Sequence, residues 1–84
     1  MSDPLITAKE YFERGISCLA ERDFLAASLA FEESLKHAPD RISILVNLSA
    51  CYLELARYEA AEAVCNKIIS ISDQEIEAWI NLGS

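Results

Sequence analysis

The chain is poor in the two residues that usually build irregular structure. Two glycines and two prolines occur among its 84 residues, so few turns can depend on a left-handed backbone or on a fixed proline. Hydrophobic residues make up 52% of the chain, which is more than a disordered segment carries. The composition therefore predicts a single folded domain over residues 1–84, rich in regular structure.

Basic residues are also scarce. Seven Lys and Arg oppose 14 Asp and Glu, which gives a net charge of -7, and the seven are scattered along the chain. Nucleic-acid binding depends on Lys and Arg side chains that neutralise phosphates. The charge balance thus argues against a nucleic acid as the partner.

Long hydrophobic runs are absent from the sequence. No stretch approaches the ~20 apolar residues that a membrane-spanning helix needs. The first residues include Ser2, Asp3 and Pro4, which are unlike the basic start of a signal peptide. From these features we expect a cytoplasmic protein with no membrane partner.

Motifs for catalysis and metal binding are missing as well. Cys18, Cys51 and Cys65 fall at apolar helical positions without metal-ligand spacing, and we expect them to be buried, reduced thiols. The single histidine, His37, falls near a predicted helix end, where a cation favours the helix dipole. The sequence has no glycine-rich phosphate loop and no nucleophile motif, so it predicts no enzymatic activity and no cofactor.

What the sequence does contain is repetition. A period of roughly 20 to 50 residues indicates a supersecondary unit stacked on copies of itself. Such a pattern favours a binding surface over a catalytic pocket. Residues of similar character recur here at a spacing of 34: Gly15, Ser49 and Gly83; Tyr11, Leu45 and Trp79; Ala27 and Ala61.

Each period divides into two helical halves. Apolar residues follow three-and-four spacing from Ala8 to about Glu21, and a second stripe runs from Phe24 until Pro39. Proline stops the second helix because the residue before it is pushed out of the helical region. The next period, from Ile42, repeats this plan, and no segment has the pattern of a strand.

A further helix is expected at the end of the chain. Ser72 and Glu75 have the spacing of a capping box, so a fifth helix should begin near Asp73. We therefore predict an all-α fold of about five helices.

The positions that recur are those of a known repeat. The first period, counted from Ala8, and the second, counted from Ile42, resemble the tetratricopeptide repeat, whose period is about 34 residues. Two departures from the family pattern are Arg14 in place of Leu and Asp73 in place of Pro. The matching residues of the first period are Tyr11, Gly15, Ala27, Phe31 and Pro39, and those of the second are Leu45, Leu48, Ser49, Tyr52, Tyr58 and Ala61.

The resemblance implies antiparallel helix-turn-helix hairpins stacked as a short right-handed solenoid. One repeat would cover residues 8–41 and a second 42–75, and residues 76–84 would form a partial third repeat or a capping helix. It also implies that small residues such as Gly15 and Ala27 lie where paired helices approach most closely. Arg14 suggests that the first helix is less buried on its outer side.

The same resemblance implies a function, the binding of a peptide or a partner helix in the concave groove lined by the first helix of each repeat. The expected peptide-binding residues are Phe12, Glu13, Ile16, Val46, Asn47, Ala50, Leu53 and Asn81.

Asn47 and Asn81 occupy the same position of successive repeats. This arrangement is similar to the asparagine ladder in the repeat domain of O-linked N-acetylglucosamine transferases. A side-chain amide can both donate to and accept from an extended peptide backbone. The alternative is that each asparagine is a solvated polar residue, common at this position of the family.

An apolar row accompanies the asparagines. Phe12, Val46 and Ile80 share one position, and Ile16 and Ala50 share another. An exposed apolar row of this kind calls for a partner. Alternatively, these residues pack against their own neighbours across the superhelix.

A structural role is the second reading of the sequence. The last predicted helix carries Ile76, Trp79, Ile80 and Leu82 but ends before a hairpin partner, although each unit of a repeat array buries its apolar face against a neighbour. The chain could then be a self-associating arm with no separate ligand, taken from a larger repeat protein or a repeat-containing enzyme. In that reading a homodimer would form through the C-terminal helix at Trp79 and Ile80.

Overall fold

The computed structural model describes residues 4–83 of the chain, and the surroundings of side chains for residues 7–74. Within the described range the chain forms helices and no strand, which confirms the predicted all-α class. In chain order the helices are α1 (Pro4–Ala20), α2 (Phe24–His37), α3 (Ile42–Glu54) and α4 (Tyr58–Gly83).

The helices pack in the order of the chain. Helix α1 packs against α2, α2 against α3 and α3 against α4. Each connection is only three or four residues long, so consecutive helices run antiparallel. The predicted architecture of stacked hairpins is therefore confirmed, and α1 and α3 run in the same direction.

The turns inside the two hairpins have the same geometry. Arg22 and Ala56, which are 34 residues apart, both have a left-handed backbone with φ of 60°. Around Arg22, the amide of Asp23 donates to Cys18 O and that of Arg22 to Leu19 O, and both distances are 2.9 Å. The same two bonds recur around Ala56. This is the Schellman arrangement that closes a helix C-terminus, and it occurs once in each period.

Helix α2 begins and ends where the sequence provides signals. At its start, Asp23 accepts a hydrogen bond at Oδ1 from the amide of Ala26 at 3.2 Å, as an N-cap residue does. At its end, the helix stops at His37, and Ala38 is the C-cap before Pro39. The predicted proline stop is thus confirmed.

Small residues allow α1 and α2 to approach closely. A Cβ atom built on Gly15 would lie only 2.5 Å from Cε1 of the fully buried Phe31. Ser34 Oγ, also buried, donates to the backbone oxygen of Ala8 at 2.6 Å and ties the two helices together. The expected close contact at Gly15 and at the buried Ala27 is therefore present.

The outer side of α1 is polar, as Arg14 suggested. Arg14 is exposed, and its guanidinium lies 5.3 Å from the centroid of the Tyr11 ring, which stacks on His37 from α2. The equivalent side of α3 is apolar and turned inward, because α2 covers it. The exposed α1 positions are Glu10, Arg14 and Ser17, and their α3 counterparts, all buried, are Ile44, Leu48 and Cys51.

The prediction of a fifth helix beginning near Asp73 is wrong, because α4 runs without a break from Tyr58 to Gly83. Asp73 occupies the repeat position of Pro39, and inside a helix proline costs about 3 kcal/mol whereas aspartate costs well under 1. Nothing comparable to Pro39 therefore stops the helix, and Ser72 lies within it rather than at its cap. The 26 residues of α4 are twice the 13 of α3, or about 39 Å against 20 Å.

Candidate functional site

Helices α1 and α3 contribute side chains to the same core. Phe12, Cys18 and Leu19 from α1 pack against a buried cluster that includes Leu48 and Cys51 from α3. Exposed positions recur on the two helices one period apart, as Ile16 on α1 and Ala50 on α3 do, and together they make up the surface predicted to bind a partner. We call this surface the groove.

Exposed apolar side chains line the groove. On α3, Val46, Ala50 and Leu53 are exposed and follow helical i, i+4, i+7 spacing, which places them in one stripe. On α1, Ile16 is exposed as well. Four of the predicted site residues are therefore exposed, and three of them lie in one stripe on α3.

Phe12 has a different environment from the one that its expected place in the apolar row implies. Its side chain is half-buried and packs against the core, with its ring centroid 5.6 Å from that of Phe31 and the rings tilted by 53°. This geometry is favourable for an aromatic pair. Phe12 thus stabilises the hairpin, and its removal would disturb the fold together with the groove.

Asn47 is anchored by its own helix. Its Nδ2 donates to the backbone oxygen of Ser43 at 2.7 Å. That bond occupies one of the two amide N–H groups, so the second N–H and Oδ1 are the atoms that can serve a ligand. Asn47 lies beside Val46, at the edge of the apolar stripe.

The polar residues of α1 partly neutralise each other. Lys9 Nζ and Glu13 Oε1 are 4.0 Å apart, and both side chains are exposed. Such a pair contributes little to stability, but it leaves no strong local charge near the start of the groove.

The other end of the groove carries side chains of both charges. Glu54 ends α3 and Glu21 follows α1, and neither helix has a basic residue in its last turn. The C-termini of two parallel helices add partial negative charge at this end. Arg22 and Arg57 lie in the turns just beyond and are exposed.

A buried tyrosine sets the position of α3 against α2. Tyr52 Oη donates to Glu32 Oε1 at 2.7 Å, and burial, together with this bond and the Glu32 charge, raises the pKa of Tyr52 to about 12. From the sequence, Tyr52 was identified only as a residue that matches the repeat pattern. A buried tyrosine needs a partner for its hydroxyl group, which is the signal that could have pointed to such a bond.

The three cysteines differ in exposure. Cys51 is buried, and burial raises the pKa of its thiol; Cys18 is half-buried. Cys65 is exposed, so the expectation that all three are buried is wrong for this residue. Among the described residues, no group of three or more His, Cys, Asp and Glu side chains is placed to hold a metal ion.

The remaining predicted site residues, Trp79, Ile80 and Asn81, lie outside the residues whose side chains the structure describes. In the described part of the chain, no helix is both long and apolar enough to cross a membrane.

Stacked hairpins with an exposed apolar groove define a helical-repeat scaffold. The chain belongs to the tetratricopeptide repeat family, whose sequence profile matches residues 19–82. No solved structure matches the chain.

The proteins to which this chain is similar are much longer than it is. The TPR repeat-containing protein YsoA of Bacillus subtilis is 33% identical over 57 residues, which are 68% of this chain and 17% of that protein. Sperm-associated antigen 1 of Homo sapiens is 27% identical over 73 residues, 87% of this chain and 8% of the relative. Sperm-associated antigen 1 of Rattus norvegicus is 28% identical over 83 residues, which cover 94% of this chain and 9% of that protein. The chain thus spans less than a fifth of each relative.

Proposed function

We propose that this chain is a protein-protein interaction module that binds an amphipathic peptide or helix in the groove between α1 and α3. The observation that carries the proposal is the exposed apolar stripe of Val46, Ala50 and Leu53 on α3, with Ile16 exposed at the repeat position equivalent to Ala50 on α1. A contiguous exposed apolar surface is a common mark of an interaction site. Membership of the tetratricopeptide repeat family supports a protein or peptide as the partner.

The groove suits a ligand with regularly spaced apolar side chains. The stripe on α3 offers contacts for the apolar face of a helix, and the remaining amide groups of Asn47 can bind the backbone of an extended segment. Peptides that present apolar residues on one side are therefore the proposed ligands.

The proposed role is non-catalytic, because repeat domains of this family are generally scaffolds. The net charge of -7 supports a partner other than nucleic acid. Three cysteines that form no disulfide in this structure are compatible with a reducing, cytoplasmic location.

The proposal can be tested with a matched pair of surface variants. Val46 in the groove and Leu25 on the outside of α2 are equally exposed, at 49% and 48%, so replacing either by serine should change stability by no more than about 0.5 kcal/mol. A peptide selected by phage display on the unmodified protein would be titrated by fluorescence anisotropy. We expect Val46→Ser to weaken its binding and Leu25→Ser to leave it unchanged. Equal loss in both variants, or loss only with Leu25→Ser, would overturn the proposal.

Self-association is the second candidate function, in which the chain is a structural or oligomerisation arm. The observation that favours it is apolar exposure on α4, where Ile69 is more than half exposed. Trp79 and Ile80 are the residues proposed for the contact between copies. Sedimentation equilibrium and peptide titration separate the two candidates: a monomer that binds peptides supports the groove, and a concentration-dependent dimer without peptide affinity supports the arm.

A further inference from the structure

The two hairpins have the same turn geometry but are filled differently. In the first hairpin, Phe31 of α2 is fully buried against Gly15 of α1, and the ring of Phe12 lies 5.6 Å from the Phe31 ring. The second hairpin has no aromatic ring at either of the positions that fill the first. The residues at the three equivalent positions, 34 residues later, are Cys65, Ser49 and Val46.

The smaller side chains of the second hairpin leave this place open to solvent. Cys65 is exposed although its counterpart Phe31 is fully buried, and Val46 is 49% exposed. Helix α4 does pack on α3, and Ala61 is buried there as Ala27 is in the first hairpin. If the two helices had closed over the place of the missing rings, Cys65 would be buried as well. By the equivalence of the repeats, an apolar notch remains between α3 and α4, and we call it the notch.

A bond that holds the first hairpin closed cannot form in the second. Ser34 Oγ of α2 donates to the backbone oxygen of Ala8 in α1 at 2.6 Å. The counterpart of Ser34 is Ile68, which has no hydroxyl group. The next residue, Ile69, is 57% exposed, whereas its counterpart Leu35 is half-buried and packs on the core. Helix α4 is therefore covered less by α3 than α2 is by α1.

Ser49 sets the depth of the notch. A Cβ atom on its counterpart Gly15 would lie 2.5 Å from Cε1 of Phe31, so the Cβ of Ser49 stands where an inner ring would have to lie. Ser49 is buried, and its Oγ donates to the backbone oxygen of Val46 at 2.8 Å, which satisfies the hydroxyl group. The part of the notch that remains open is the outer part, equivalent to the place of the Phe12 ring.

We propose that the notch binds one aromatic side chain of the peptide that occupies the groove. This inference rests on the proposed function and adds the chemistry of the residue that anchors the ligand. In the first repeat the chain itself supplies the ring, through Phe12. In the second repeat the partner supplies it, and the ring lies against Val46 and the sulfur of Cys65. Val46 also belongs to the exposed stripe on α3, so the notch is continuous with the groove.

An aromatic ring suits this place better than an aliphatic side chain. Contacts between sulfur and an aromatic ring are favourable, which Cys65 can provide. A Phe, Tyr or Trp side chain also brings more apolar surface into contact than an aliphatic one does, and aromatic side chains seated in pockets often dominate the binding energy of an interface. One ring in the notch should therefore contribute more to affinity than the contacts along Ala50 and Leu53.

Recreating the residues of the first hairpin tests the notch. The double variant Ser49→Gly with Cys65→Phe should fill the notch from within, because it repeats the pair of Gly15 and Phe31. The probe is the peptide selected by phage display on the unmodified protein, compared by fluorescence anisotropy with a form whose aromatic residues are replaced by alanine. The replacement should weaken binding roughly tenfold or more to the wild type and to Ser49→Gly alone. It should have little effect on binding to the double variant.

The outcomes separate this inference from the proposed function. A selected peptide without an aromatic residue overturns the inference but leaves binding in the groove standing. The same holds if the aromatic residue matters equally for the wild type and the double variant. If no selected peptide is weakened by Val46→Ser, both the groove and the notch are overturned.

Alkylation of Cys65 covers the case in which the double variant fails to fold. Cys65 is exposed, so iodoacetamide should modify it in the free protein, and mass spectrometry identifies the site. The peptide, at about ten times its Kd, should slow this modification roughly tenfold. The control is Ala63→Cys, at the exposed counterpart of Leu29 on the outside of α2, whose new thiol should react equally fast with and without peptide. Unchanged alkylation of Cys65 in the complex overturns the inference.

Discussion

At the scale of single residues, small side chains set the distance between helices, and large side chains fill the space between them. Gly15 has no Cβ where Phe31 needs the space, and Phe12 lies against the same ring. The repeat pattern predicted the small residue correctly but assigned Phe12 to the groove. A helical stripe specifies which side of the helix a residue occupies, whereas the reach of a long side chain into the core depends on the neighbouring helix.

Gly15→Ala is the most direct test of this close contact. Alanine would gain up to about 1 kcal/mol in helix propensity, but its Cβ would meet three atoms of the Phe31 ring at 2.5 to 2.8 Å. Phe31 is fully buried and has little room to move, so we expect a net loss of about 1 to 2 kcal/mol in urea unfolding. Ser49→Ala, at the same position of the second repeat, is the control and should lose less than about 1 kcal/mol. Equal stability of Gly15→Ala and the wild type would contradict the packing.

A substitution at the turn residue Ala56 should stabilise the protein instead of destabilising it. Its φ of 60° is strained for any residue with a Cβ, by about 1 kcal/mol. Ala56→Gly should therefore raise the free energy of unfolding by about that amount. Ala63→Gly, at an exposed position inside α4, should lower it by a similar amount. Thermal unfolding of the two variants should shift in opposite directions, and a shared direction would show that the turn is not strained.

At the scale of the helices, boundaries followed the sequence only where it provides a strong stop. Pro39 ends α2 as predicted, but the capping-box spacing of Ser72 and Glu75 did not start a new helix. A capping box satisfies the free amides of a helix start, so it cannot by itself create a break inside a segment that favours helix. The exposure of Cys65 has a different cause, because the second hairpin lacks the rings that fill the first.

The hydrogen bond from Tyr52 of α3 to Glu32 of α2 should make the free energy of unfolding depend on pH in alkaline solution. The pKa of Tyr52 rises from its ordinary value of 10.0 to about 12 because of burial and the bond to Glu32. Folding therefore favours the neutral phenol, so the stabilisation is complete below pH 10 and is lost as the pH rises towards 12. Tyr52→Phe removes this titration but keeps every other group, so its stability should fall less steeply over that range. Urea unfolding curves at successive pH values test this, and parallel pH profiles would argue against the buried bond.

At the scale of the whole molecule, charge and apolar surface act together. The repeat period, the all-α class and the exposed apolar stripe on α3 could all be predicted from the sequence, because periodicity and hydrophobicity determine them. The sequence pattern alone could not distinguish Ile16, which is exposed, from Phe12, which packs into the core. The distinction matters for the groove, because the exposed apolar side chains that it offers to a partner are aliphatic.

A partner with basic flanks should therefore bind the groove more tightly than one with acidic flanks. The chain carries a net charge of -7, and Glu54 ends α3, where the helix C-terminus adds negative potential. Two peptides with the same apolar core, one flanked by lysines and one by glutamates, should differ roughly tenfold in affinity at low salt. Added sodium chloride should reduce the difference because it screens exposed charges. Glu54→Gln should also reduce it, and Glu62→Gln on α4 is the control that should not. Equal affinity for the two peptides at low salt would show that the negative charge of the chain takes no part in binding.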